Sequence, residues 1–126
     1  MQPRPTAAEI LAALVPVLEN EVVPALAGPA QHHARVAANL AAIVERELRL
    51  AAASNAEELE SLASLLPSGA SDRTDLRAVR QELATALRAG LADDPATDAR
   101  VWAVLMDATR ADLAVCKPGH DRWEGE

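Results

Sequence analysis

Apolar residues recur at three- and four-residue spacings along most of this chain, and no segment shows the two-residue alternation of a half-buried strand. The pattern predicts an all-α protein. Thr6-Ala7-Ala8-Glu9 has the form of a capping box, in which the Thr hydroxyl and the Glu carboxylate each satisfy a backbone N–H at a helix start. Ile10, Leu11, Leu14, Val15, Leu18 and Val22 then form a stripe directed toward a core. Pro16 cannot donate to Ala12, so a kink is expected there, with packing carrying the helix on to about Glu21. Pro24 and Gly28-Pro29 punctuate the chain beyond that helix.

A second helix is predicted over about 29–53, with Pro29 in the first turn, where its missing donor matters least. Its apolar stripe is His33, Val36, Ala37, Leu40, Ile43, Val44 and Leu48. Ser54-Asn55-Ala56-Glu57 reads as a second capping box, so a short third helix carrying Leu59, Leu62, Leu65 and Leu66 should start there and stop at Pro67. After a loop at 68–72, Thr74 or Asp72 can cap a fourth helix with Leu76, Val79, Leu83 and Leu87 inward and Gly90 at its C-terminal cap. Asp94 as cap and Pro95 in the first turn launch a fifth through Val101, Trp102, Leu105, Ala108 and Leu113 to about Cys116, ended by Pro118-Gly119. The expected architecture is a single helical domain over 1–126. It is a bundle of about five helices with mostly antiparallel neighbours and loose termini at 1–5 and 119–126.

Composition narrows the functional classes. Half of the 126 residues are apolar, yet Trp102 and Trp123 are the only aromatics, so the core must be built from Leu, Val, Ile and Ala. The formal charge of −7 opposes a polyanion, and stacking aromatics are scarce, which argues against nucleic acid as a partner. A lone Cys116 excludes an internal disulfide and suits a reducing cytoplasm. The start, Met1-Gln2-Pro3-Arg4-Pro5, lacks the arrangement of a signal peptide, and no stretch is long and apolar enough to predict a membrane span.

Candidate chemistry is thin. His32 and His33 are adjacent, and adjacent helical positions diverge by about 100°, so they cannot chelate one ion from a regular helix. The favoured reading packs His33 beside Val36 and Ala37 and leaves His32 at the surface. Cys116 and His120 could supply a thiol and a base or two metal ligands, but the simpler reading is a small residue at a helix end followed by a tail. Arg35, Asn39, Arg46 and Arg49 lie on another side of the second helix and form a possible partner-facing strip, partly neutralised by Glu45 and Glu47. Glu45 stands four residues before Arg49, the favourable order for an ion pair. Glu57, Glu58 and Glu60 suit the dipole at the expected start of the third helix. No phosphate loop, nucleophile elbow or spaced carboxylate pair occurs, and neither catalytic residues, a metal nor a cofactor is expected.

The order of segments also carries a resemblance. Arg4-Pro5-Thr6-Ala7-Ala8-Glu9, Glu21-Val22-Val23-Pro24-Ala25-Leu26 and His33-Ala34-Arg35-Val36-Ala37-Ala38-Asn39 open it. Ile43-Val44-Glu45-Arg46-Glu47-Leu48, Arg88-Ala89-Gly90 and Leu113-Ala114-Val115-Cys116-Lys117-Pro118 continue it. Together they resemble an uncharacterised bacterial family of short helical proteins, over nearly the whole chain. Its members are commonly encoded beside an aminoglycoside-phosphotransferase-like kinase and an acyl-CoA dehydrogenase. The resemblance implies a non-catalytic accessory or stabilising subunit, supporting a kinase that acts on hydroxyacyl-CoA in hydroxy-acid catabolism, with the dehydrogenase as a further candidate partner. Gly119-His120-Asp121-Arg122-Trp123 departs from it, standing where an Asn-Pro-Arg-Tyr-like ending is expected. Two other readings remain: a homo-oligomeric helical module in which Ala-rich faces pack together, and a small acyl-CoA-binding protein or enzyme.

Overall fold

The computed structural model describes residues 4–120, and among them every regular element is helical, with no strand. The expected loose ends at 1–3 and 121–126 lie outside the described residues. Helix α1 spans Ala7–Val17 and begins with the predicted capping box: the Glu9 amide donates to Thr6 Oγ1 at 3.2 Å, and the Thr6 amide donates to Glu9 Oε2 at 2.7 Å. Pro16 is carried inside α1, and the helix then widens into a π-helical turn, Leu18–Val22, before a last α turn, α2, Val23–Ala25. The widened turn has a physical reason. Pro24 has no N–H and its ring crowds the carbonyl four residues back, so a turn with one extra residue just before it relieves the clash.

Leu26 is extended, and Gly28 takes a φ of 60°, the left-handed region that favours glycine; from there the chain enters helix α3, Gly28–Leu65. Its 38 residues correct the expectation of two separate helices, because no break occurs at the second capping box. Ser54-Asn55-Ala56-Glu57 has the letters of a helix start, but 30–66 contains neither Gly nor Pro, and Ala51-Ala52-Ala53 are the strongest helix formers. A start signal without a preceding stop is read through. Helix α4, Leu76–Arg88, is capped by Asp75, whose Oδ1 accepts from the Arg77 amide at 2.9 Å, in place of the expected Thr74 or Asp72. Asp72 instead closes the loop, accepting from the Thr74 amide at 2.8 Å and from its hydroxyl at 2.6 Å. Gly90 lies just past α4 with φ 96°, and helix α5, Pro95–Cys116, starts as predicted with Asp94 accepting from the Thr97 amide at 2.9 Å.

The contacts divide into two compact units, Met1–Ala51 and Ala52–Glu126, with α3 contributing residues to both. In the first, the α1–α2 arm folds back along α3 as a helical hairpin. Gln31 Nε2 donates to the Val23 carbonyl at 3.1 Å, and Glu19 and Val23 share a hollow with Arg35, Ala38 and Asn39. Val23 and Ala38 are its buried residues, with Leu11, Val15, Leu18 and Val22 half-buried. Two expectations are corrected here. Ile10 and Leu14 of the first stripe, and His33, Val36, Ala37, Leu40, Val44 and Leu48 of the second, are exposed, although Ile43 is half-buried. The buried and half-buried positions of this half of α3 include Ala34, Ala38, Ala41 and Ala42, whose small side chains let backbones approach where bulky ones would hold them apart, beside Gln31, Ile43, Glu45, Arg46 and Leu50.

The second unit has the true core. Leu62, Ala63 and Leu65 of α3, Val79 and Leu83 of α4, and Val101 of α5 form one buried cluster, with Leu59, Leu76, Leu87 and Val104 packed around it. Trp102, expected in the inward stripe, is 67% exposed. Val101 and Trp102 are adjacent, hence about 100° apart on the helix, and only one can face the core. Leu62→Ala, which empties a fully buried site, is expected to cost about 2–5 kcal/mol in urea denaturation. The same truncation at the part-exposed Leu105 should cost less than about 1 kcal/mol, and equal costs would contradict this core.

Candidate functional site

The strip on α3 is brought together only in part. Arg35 and Asn39 line the hollow of the N-terminal hairpin with Glu19, Val23 and Ala38, a shallow depression of about 310 Å³. Arg49 Nε donates to Glu45 Oε1 at 2.9 Å, the pair its spacing predicts, and Arg46 is half-buried and engaged. Glu45 therefore takes up part of the positive charge, and the strip presents no concentrated cradle for phosphate.

The histidines do not converge on anything. The rings of His32 and His33 stand with centroids 6.0 Å apart and planes tilted by 58°, and both residues are exposed. The expected packing of His33 is corrected for the same reason as its neighbours: it shares the open side of α3 with Val36, Ala37 and Leu40. Cys116 is an exposed free thiol and His120 is exposed. Among the described residues no three His, Cys, Asp or Glu side chains come together in a way that could hold a metal ion.

Charged groups in the second unit serve as anchors. Arg80 makes a bidentate pair with Glu58, Nε to Oε1 and Nη2 to Oε2, both at 2.7 Å, with the Glu58 side chain only 9% exposed. This ties α3 to α4 and replaces the expected role of Glu58 at a helix start. The Glu58 hydrogen bonds raise the Arg80 pKa further, with a smaller contribution from the charge of Asp112. Ser71 donates to the Glu82 carboxylate through its hydroxyl and, at 3.0 Å, through its amide, pinning the loop onto α4. An open, mostly apolar hollow of about 560 Å³ lies beside that anchor, between Leu66, Pro67, Gly69, Ala78, Thr85 and Ala86. Its carboxylate, Glu82, is already engaged by Ser71.

Uncovered apolar surface is the feature that remains. On α5, Trp102 and Leu105 are 67% and 39% exposed, and a run of half-exposed aliphatic residues covers one side of the N-terminal hairpin. Sequence reasoning missed Trp102 as a surface residue. The available signal was its adjacency to Val101 on one helix.

Hydrogen bonds from Thr74, Ser71 and Thr97 hold the Asp72, Glu82 and Asp94 carboxyls below their ordinary pKa values. A depressed folded-state pKa gives stability that is fully present above the unfolded value and lost as the pH falls through the folded one. Melting temperatures are therefore expected to hold down to about pH 5 and drop below about pH 4, with a shallower drop in Asp94→Asn. A melting temperature that rises below pH 4 would contradict this assignment.

No helix of the described residues is long and apolar enough to cross a membrane. No curated protein and no solved structure matches the chain. A family described as a domain of unknown function, DUF6285, matches residues 24–120, from the end of the hairpin's first arm to just past α5. The match covers well over half of the sequence, and the chain belongs to the DUF6285 family.

Proposed function

We propose that this protein is a non-catalytic accessory subunit that works by binding another protein. The observation that carries the reading is Trp102. In a chain with two Trp and no Phe or Tyr, this large aromatic stands 67% exposed beside Leu105 on α5. Trp is the residue type most enriched at the energetic centre of protein interfaces, where a ring covered by a partner gives up most of its contact with water. The polar groups support the same reading, since Asp72, Asp75, Asp94, Glu82, Glu58, Arg80, Glu45 and Arg49 are engaged in caps, anchors and pairs.

The partner is an aminoglycoside-phosphotransferase-like kinase acting on hydroxyacyl-CoA in hydroxy-acid catabolism, with the neighbouring acyl-CoA dehydrogenase as a second candidate. That identification rests on the family resemblance of the segments from Arg4 to Pro118. Such a pathway places the complex in the cytoplasm.

Co-expression of the tagged chain with the kinase is expected to recover both proteins together. Trp102→Ala should weaken the complex by roughly 30-fold or more, the effect of losing an interface hot spot, while leaving the helical circular dichroism unchanged. Failure to recover the kinase, together with kinase activity indifferent to the added subunit, would remove this proposal.

A further inference from the structure

The N-terminal hairpin has a second apolar side that its own fold does not cover. On α1 the half-buried side is Leu11 and Val15, continued by Leu18 and Val22 of the π-helical turn, and Ile10, Leu14 and Val17 centre about 100° away from Leu11 and Val15 around the helix. On α3 the buried and half-buried alanines are Ala34, Ala38, Ala41 and Ala42, and Leu40, Val44 and Leu48 centre about 100° away from them in the same rotational sense. The two arms run antiparallel: Gln31, just past the connection, donates to the Val23 carbonyl, and Glu19, one turn further back, shares a hollow with Arg35, Ala38 and Asn39, further on. Equal turns about two antiparallel axes bring both stripes to the same side of the pair. The register of that hollow sets Ile10 level with Leu48, Leu14 with Val44, and Val17 with Leu40. The result is a ladder of aliphatic rungs about 12 Å long. All six residues are between 42% and 55% exposed.

We infer that this ladder is the contact between two copies of the chain. Its area is near what a dimer needs. At roughly 200 Å² for a fully exposed aliphatic residue, the six rungs and the flanking Val36 leave about 600 Å² in water, against ~800 Å² per partner in a standard interface. The exposed Ala37 and His33 extend the same side. Its charge permits self-pairing. The whole chain carries −7, but residues 1–51 hold four arginines against five glutamates, so this unit is close to neutral and the acidic excess lies in the rest of the sequence. No rung is charged or polar, so nothing on the ladder selects a chemically different partner, and a two-fold axis would lay the same aliphatic side chains against each other. Two such two-helix layers, face to face, make a four-helix bundle. Trp102 lies on α5, outside this unit, so self-pairing and partner binding use different residues.

Sedimentation equilibrium of the full chain from 1 to 100 μM tests the inference. The expected mass is twice the 13.3 kDa of one chain, with a melting temperature that rises with protein concentration. Leu40→Glu and Leu14→Glu place an uncompensated charge in the contact from each copy and should weaken dimerisation by roughly 100-fold or more. Both side chains are already half in water, so helix content should persist. A wild-type chain that stays at 13.3 kDa at 100 μM, or a melting temperature independent of concentration, overturns the inference whether or not the variants fold. Dimerisation unchanged by both substitutions also overturns it. A monomer that uses this ladder to hold the kinase overturns self-pairing while sparing the accessory role; a dimer that ignores the kinase does the reverse.

Discussion

Helix α3 is the element on which both compact units are built, and its continuity follows from the absence of any glycine or proline over 30–66. Its two halves obey different packing rules. Around Ala34, Ala38 and Ala41 the helix offers methyl groups, which allow a close approach to the first arm but bury little area, and burial contributes only about 25 cal/mol per Å². Around Leu59, Leu62 and Leu65 it offers branched side chains that fill the space between α4 and α5. The buried residues follow this division: a cluster of six in the second unit, and Val23 and Ala38 in the first.

The acidic surplus reads differently once the partners are known. Asp72, Asp75 and Asp94 close a loop and cap two helices, Glu82 holds the loop at Ser71, and Glu58 chelates Arg80. These carboxylates accept hydrogen bonds from amides, hydroxyls and a guanidinium, so they terminate and fasten elements. A solvated acidic side chain is cheap to place and effective at a helix start, where exposed N–H groups need an acceptor.

Helix ends with a single strong determinant were legible in the sequence: Thr6 with Glu9, Pro67, Gly90, and Asp94 with Pro95. The all-α class followed from periodicity alone. What failed involved competition between similar residues. Ser54 to Glu57 matched a capping box but lacked a breaker before it, and Asp75 outcompeted Thr74 and Asp72 for one cap through its position. Both arms of the hairpin carry two apolar sides, and periodicity cannot say which of them meets its neighbour; van der Waals fit decided for alanine on α3. For the same reason Trp102 could be placed inside by its spacing from Leu105, although Val101 claimed the core. The arginine strip was visible as a spacing, but the pairing of Arg49 and the sharing of a hollow by Arg35, Asn39 and Glu19 depend on the fold.

The exposure of Trp102 also governs how the molecule can be watched. An indole already surrounded by water emits at long wavelength in the native state, so its fluorescence has little distance to shift when the chain unfolds. The same ring becomes a sensitive reporter of anything that covers it, since transfer into an apolar contact moves emission to the blue. The Trp102 contribution to that optical signal is therefore suited to following association at α5, while loss of structure is better followed through the backbone.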